Sequence, residues 1–188
     1  MDNRDGIMHA ALELFTARGY DGCGVQEICE AAGITKPTLY HYFGSKRGLL
    51  EALLAAHHAP LDGAVSAAAD YRGDLPLSLE KVARAFFDFA RADPGYYRLL
   101  LALYFAPPRS EAHQLMTARF QPQHAALEAM FAAAARDHGN MRGRDRLFAA
   151  TYLGLLHTCI GLYLNGYAEL NDDLLRQVLR QYQYGIYT

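Results

Sequence analysis

Cysteine is scarce: Cys23, Cys29 and Cys159 are odd in number, far apart, and form neither a C-x-x-C pair nor a zinc spacing. That arrangement excludes a disulfide framework or a structural zinc fold, and reduced thiols are expected. An excess of one charge is also missing. Eighteen Lys and Arg stand against 20 Asp and Glu, a net charge of −2. A uniformly basic nucleic-acid binder is excluded, so any anion-binding surface must be local. The apolar runs are interrupted by His, Arg, Asp or Pro before the ~20 residues that a membrane span requires. The opening "MDNRDGIMHA" is charged and lacks an apolar signal core. A soluble, cytoplasmic chain is expected. No G-x-G-x-x-G, P-loop, G-x-S-x-G or H-E-x-x-H is present, and the carboxylates are scattered rather than paired, so no enzyme is expected. The eight histidines include no i, i+4 pair, so neither a metal nor any other cofactor is expected. Alternating strand patterns and fixed-period repeats are absent too.

What is present is helical periodicity. Ile7, Ala10, Ala11, Leu14 and Phe15 follow the i, i+3, i+4 rule, with Asp2 or Asn3 as cap and Gly19 as terminator. Val25, Ile28, Cys29 and Ala32 repeat the pattern, closed by Gly33. Thr35 is the next N-cap candidate, and Pro37 falls in the first turn, where its missing N–H costs little. Ser45 caps a fourth helix with Leu49, Leu50, Leu53 and Leu54 inside, expected to reach about Ala59 before Pro60 ends or kinks it. Residues 61–74 have no clear assignment. Amphipathic blocks follow at about 77–92, 95–106, 109–138, 143–167 and 171–186, and Pro122 is expected to bend or divide the third. The fold class is all-α: a three-helix N-terminal domain over 1–45, then a larger helical domain over 46–188, with 46–59 as connecting helix.

The stretch "ITKPTLYHYFGSKRGLL", residues 34–50, carries the chemistry. A short helix near 36–42 after a tight turn is a helix-turn-helix, which lays its second helix in the DNA major groove. Leu39 and Phe43, four apart, pin its inner face. Lys36, Thr38, Tyr40 and His41 are left to project. Lys36 can donate to guanine O6 or N7, and Pro37 and the Thr38 methyl can meet a thymine methyl. Tyr40 and Tyr42 carry phenolic donors suited to phosphate oxygens. Lys46, in the first turn of the next helix, could share a phosphate with the helix N-terminus.

Residues 11–54 resemble the DNA-binding domain of the tetracycline-repressor (TetR) family. The matching features run in order: A-L-E-L-F before a Gly-Tyr turn, V-x-x-I, A-A-G-I, T-x-x-T-L-Y-x-Y-F and S-K-x-x-L-L. The resemblance implies a homodimer on a near-palindromic double-stranded operator, usually a repressor, released by a small molecule bound in the C-terminal domain. It implies DNA-facing roles for Gln26, Lys36, Pro37, Thr38, Tyr40, His41, Tyr42 and Lys46, with Thr35 as cap. Gly24 departs from the family's usual Ser or Thr and supplies no side-chain contact. Residues 1–60 hold five Lys or Arg against seven Asp or Glu, so a shallow salt dependence of DNA binding is expected. The alternative is a ligand-binding or scaffolding helical dimer with weak DNA affinity.

The C-terminal domain is rich in aromatic residues and Met. Phe86, Phe89, Tyr97, Tyr104, Met116, Phe120, His124, Tyr152 and His157 are expected to line a site for a mostly apolar molecule, with His113 as a further polar anchor. Each is individually also compatible with ordinary core packing. The blocks 143–167 and 171–186 are apolar on one face, and Gly154, Gly161 and Gly166 permit close approach of a partner helix. By resemblance they would pair with their symmetry mates. Tyr182, Tyr184 and Tyr187 suit such an interface or a simple C-terminal cap.

Overall fold

A computed structural model describes residues 3–185; the cap expected at Asp2 and the tyrosine at Tyr187 lie outside them. The described residues form nine α-helices and a 3-10 turn, Gly139–Met141, without a strand. The helices are α1 (Asn3–Arg18), α2 (Val25–Ala32), α3 (Lys36–Phe43), α4 (Lys46–Ala68), α5 (Leu75–Ala92), α6 (Pro94–Tyr104), α7 (Glu111–Asp137), α8 (Asp145–Leu164) and α9 (Asp172–Tyr184). They pack into two compact units. One takes the chain as far as Ala59 together with Gly95–Arg119. The other takes Pro60–Pro94 and the chain from Phe120 onward.

Caps fix several helix ends. Ser45 Oγ accepts from the Gly48 N–H at 3.0 Å, Asp74 from Leu77 at 2.9 Å and Asn171 from Leu174 at 2.9 Å. Gly33 is left-handed, at φ 65°, and ends α2 with its own N–H on the Glu30 carbonyl and the Ile34 N–H on Cys29. Two helices are longer than their prolines suggested. Pro60 does not stop α4, because Leu61, Val65 and Ala68 continue the buried stripe. Pro60 is exposed, so the carbonyl it leaves without an intrahelical donor can face water. Pro122, also exposed, leaves α7 as one helix.

In the first unit Ile7, Ala11, Phe15, Ile28, Leu39, Leu49, Leu50 and Leu53 are fully buried. A large side chain taken from water contributes about 1.5–3 kcal/mol. In the second unit Val82, Phe86, Leu127, Phe131, Tyr152 and Leu156 form the interior. The Tyr152 hydroxyl donates to the Leu79 carbonyl. Arg84 joins Glu80 to Asp172, and Arg91 donates to the Leu170 carbonyl at 2.8 Å, tying α5 to the start of α9. α8 is, among the described residues, the one helix long and apolar enough to cross a bilayer, contrary to the expectation that every apolar run is broken. Ala149, Tyr152, Leu153, Leu156, Cys159 and Ile160 of α8 are buried. All three cysteines are buried free thiols.

Candidate functional site

Leu39 is the residue that fixes α3. It is fully buried, whereas Lys36, Pro37, Tyr40, His41 and Tyr42 are exposed and Thr38 is half-buried. Tyr40 and Tyr42 keep 47% and 37% of their surface in solvent, high values for aromatic side chains. Phe43 is only half-buried, and the Arg4 guanidinium lies 5.6 Å from its ring centre. α3 therefore offers a row of amine, hydroxyl, imidazole and phenol groups on a backbone held from behind.

The ends of α3 are held without a standard side-chain cap. Thr35 has the extended backbone of an N-cap, but its hydroxyl meets the Thr38 hydroxyl at 3.0 Å and no backbone N–H. The expected capping bond is absent. The expected partner would be the N–H of Thr38, and the Thr38 side chain occupies the Thr35 hydroxyl instead. At the other end Gly44, at φ 71°, returns its N–H to the Tyr40 carbonyl at 2.8 Å. α4 then begins so close that a Cβ on Gly48 would lie 2.0 Å from the Phe43 carbonyl oxygen.

α2 has an acidic rather than a hydroxyl start. The Glu27 carboxylate accepts from the Gly24 N–H at 2.8 Å and from Arg18 at 2.6 Å. Those contacts, the Gly24 N–H foremost, hold its carboxyl below the usual range. Glu27 thus satisfies the Gly24 N–H, while no side chain at position 24 accepts from the first-turn N–H groups. Gln26 is exposed, with its amide on Glu30 at 2.8 Å.

Lys46 has internal partners that its sequence position does not announce. Its half-buried ammonium donates to the Tyr20 and Cys23 carbonyls, both at 2.8 Å, and sits 4.1 Å from the centre of the Tyr20 ring. Two of its three N–H donors serve the turn after α1 rather than an external phosphate. Lys36, by contrast, is in no ion pair among the described residues.

The residues expected to line an effector site are divided between the two units. Tyr97, Tyr104 and Met116 belong to the first unit, where Tyr97 and Met116 are fully buried and Tyr104 is 37% exposed. In the second unit His157 lies between Phe86 and Phe120, at ring distances of 5.9 and 5.7 Å, and Phe120 also meets His124 at 6.5 Å. Burial, and secondarily the His124 charge, pushes the His157 imidazole down to about 4. Phe89 is half-buried, as is His113, whose Nδ1 has no hydrogen-bond partner.

A cavity of about 580 Å³ opens elsewhere in that unit, among the start of α5, the end of α7, the start of α8 and the end of α9. Leu75, Leu79, Phe131, Met141, Leu147 and Phe148 give it apolar walls, with His138, Thr151, Tyr182 and Gln183 as polar groups. None of the nine expected residues lines it, although Tyr152 packs on two that do, Tyr182 at 5.0 Å and Phe131 at 6.3 Å. The Tyr182 hydroxyl is engaged with the Phe148 carbonyl at 2.7 Å. Residue type alone gave no signal for this space, since its walls are ordinary leucines and phenylalanines.

Residues 7–53 match the family described as bacterial regulatory proteins, tetR family. The HTH-type transcriptional activator FasR of Mycolicibacterium smegmatis is 30% identical over 184 residues, covering 98% of this chain and 82% of that protein. The tetracycline repressor protein class D of Escherichia coli is 43% identical over 60 residues, 30% of this chain and 28% of its own. Among solved structures, the transcriptional regulator FadR from Bacillus subtilis in complex with stearoyl-CoA superposes with a TM-score of 0.79 at 20% identity, covering 97% of this chain and 99% of that one.

Proposed function

The chain belongs to the TetR family of DNA-binding transcriptional regulators, and from that premise we propose that it acts in the cytoplasm as a homodimer on a near-palindromic operator and responds to an apolar effector. Residues 1–45 form the DNA-binding domain, α4 connects it onward through Lys46–Ala68 rather than 46–59 alone, and the rest of 46–188 is the effector and dimer domain. The observation that carries the reading is α3: a fully buried Leu39 beneath exposed Lys36, Pro37, Tyr40, His41 and Tyr42. Lys36, at the helix start, reads a base edge, and the tyrosines take phosphate oxygens. Thr38 and His41 add backbone or base contacts, Gln26 reaches the adjacent strand, Thr35 braces Thr38 through their hydroxyls, and Lys46 supports the element from behind.

Selection from a random duplex pool, followed by footprinting, tests this. A saturable complex is expected on a near-palindrome whose halves lie about one turn, ~34–36 Å, or a multiple of it, apart. Binding that never saturates, or that shows no sequence preference, leaves only the scaffolding dimer. A reporter assay on the selected operator then fixes the sign of regulation; the relatives carry both names, activator and repressor.

The 580 Å³ cavity supports an effector site there, because its walls are apolar and its polar groups are few. The fold shared with a structure holding stearoyl-CoA supports a ligand with a long apolar portion. Such a ligand shifts operator affinity only by binding the two states of the protein unequally. Stearoyl-CoA titrated against the operator complex should change its affinity in the wild type. Thr151→Trp, which fills the cavity from an exposed position, should abolish the change. An unaltered response in Thr151→Trp would move the effector out of this cavity.

A further inference from the structure

We propose that Glu111 is a positioning residue for DNA recognition: it holds Tyr20, and through Tyr20 and Lys46 it fixes the start of α4 against which α3 is set. The proposal rests on the regulator reading above. Tyr20 is the hub. It is 4% exposed, and its ring meets Phe15 edge-on at 5.3 Å. Its face carries the Lys46 ammonium, and its carbonyl accepts from the same ammonium. Its hydroxyl donates to Glu111 Oε2 at 2.8 Å, across 91 residues of sequence. One side chain therefore joins the turn after α1, the first turn of α4 and the first residue of α7, all within one compact unit.

The bond is of the stronger class, a phenol donating to a carboxylate. Burial, and then Glu111 itself, pushes the Tyr20 phenol well above its usual range, so it remains a donor at any physiological pH. A plain alternative is that Glu111 only complements the N-terminal dipole of α7. That end already has its cap, because Ser110 Oγ accepts from the His113 N–H at 3.1 Å. The Glu111 carboxylate is turned to Tyr20 instead. The turn before it is held in an unfavourable conformation: Arg109 sits at φ 74°, a region where a residue with a side chain is disfavoured. A second tie runs parallel, from Thr16 Oγ1 to the Gly95 carbonyl at 3.2 Å.

The consequence for recognition follows from the far end of the chain of contacts. Lys46 sits two residues before Gly48, and Gly48 lies against the Phe43 carbonyl that closes α3. Loosening Glu111 thus loosens the seat of α3 without touching a DNA-facing side chain. A dimer with firmly seated heads discriminates between half-site spacings; one with loose heads tolerates the wrong spacing.

The test uses full-length Tyr20→Phe, Glu111→Ala and Glu111→Gln. Tyr20→Phe keeps the ring and every charge and removes one hydroxyl. Each variant is titrated with the operator selected by the wild type, and with that operator carrying one extra base pair between its halves. We expect the wild-type affinity ratio between the two duplexes to fall about tenfold in Tyr20→Phe and Glu111→Ala. The double variant should be no worse than either, and Glu111→Gln, which keeps an acceptor, should recover most of the ratio. Wild-type discrimination in both Tyr20→Phe and Glu111→Ala overturns the proposal. Amide exchange supplies an arm that needs no DNA: peptides over 7–50 should exchange faster in Tyr20→Phe while those over 145–164 stay unchanged. Unchanged exchange over 7–50 also overturns it. Should the selection yield no operator, the regulator reading fails, and the exchange arm still decides whether Glu111 fastens this region.

Discussion

Gly48→Ala should destabilise the protein although it improves helix propensity. The added methyl would stand 2.0 Å from the Phe43 carbonyl oxygen and 3.2 Å from its carbon. Carbon–oxygen contacts settle near ~3.3 Å, so the backbone ending α3 must retreat by about 1.3 Å. The obstructing atom is main chain, and its neighbour Gly44 is tied to the Tyr40 carbonyl, so no flexible side chain can absorb the shift. Overpacking of this kind costs about 1–3 kcal/mol, whereas replacing a helical glycine returns at most roughly 1 kcal/mol. With about 2 kcal/mol of strain, the middle of that range, against the ~1 kcal/mol returned, the strain wins by about 1 kcal/mol. For a chain of this size that lowers the melting temperature by about 2–4 °C. Gly63→Ala is the matched control. It lies in the same helix, exposed, with nothing within 4 Å of the new methyl, so it should raise the melting temperature by about 2–4 °C. Calorimetry on the two variants gives opposite signs if the reasoning holds. A Gly48→Ala protein that melts at or above the wild type would refute it, and with it the close seating of α3 on α4.

Lys36→Ala should relax base preference at one operator position by about 1–3 kcal/mol; an equal loss on every sequence would reassign Lys36 to a phosphate. Tyr40→Phe should weaken operator binding without lowering the melting temperature, and unchanged binding would remove that hydroxyl from the interface. Salt dependence should be shallow. Arg18 and Arg47 are paired with Glu27 and Glu51, Lys46 is held by carbonyls, and Arg4 lies over Phe43. If a dimer neutralises at most about six phosphates, the log–log slope is no steeper than about −5; a steeper slope in a salt titration contradicts the count. His157 gives a pH signature. Its folded pKa, about 4, lies below the unfolded value of 6.5, so the folded protein binds fewer protons between them. The stabilisation is complete above that unfolded value and is lost as pH falls toward 4. Urea unfolding should show about 2 kcal/mol less stability at pH 5 than at pH 7 from this residue. His157→Phe, which keeps a ring between Phe86 and Phe120, should remove that component; an identical pH profile in the variant would dismiss the buried imidazole as its source.

The head was legible because its information is local. Leu39 falls at the one buried position of a short helix, Gly33 and Gly44 end their helices, and Ser45 starts the next, all within a dozen residues. The internal bonds of Lys46 were not legible because its partners, the carbonyls of Tyr20 and Cys23, are main-chain atoms more than twenty residues away, and no side-chain pattern announces a carbonyl. α4 was read too short because Pro60 outweighed the stripe of Leu61, Val65 and Ala68 that runs past it. The cavity was invisible for a different reason. A void exists where neighbouring side chains stop short of one another, and that depends on how helices cross rather than on which residues they carry. Aromatic abundance in the C-terminal half could not say which rings would line the space: Phe86, Tyr97 and Tyr152 fill the interior, whereas Phe131, Phe148 and Tyr182 border the cavity beside Leu75, Leu79 and Leu147.

The scarcity of unengaged cations around α3 sets how the protein must find its target. A strongly basic head clings to any duplex and scans by sliding; one with little more than Lys36 to offer gains little from random sequence. Most copies then remain in solution between encounters and reach the operator by repeated collisions in three dimensions. Since millions of non-cognate sites compete for every regulator in a cell, that indifference to bulk DNA leaves more molecules available for the one sequence that fits.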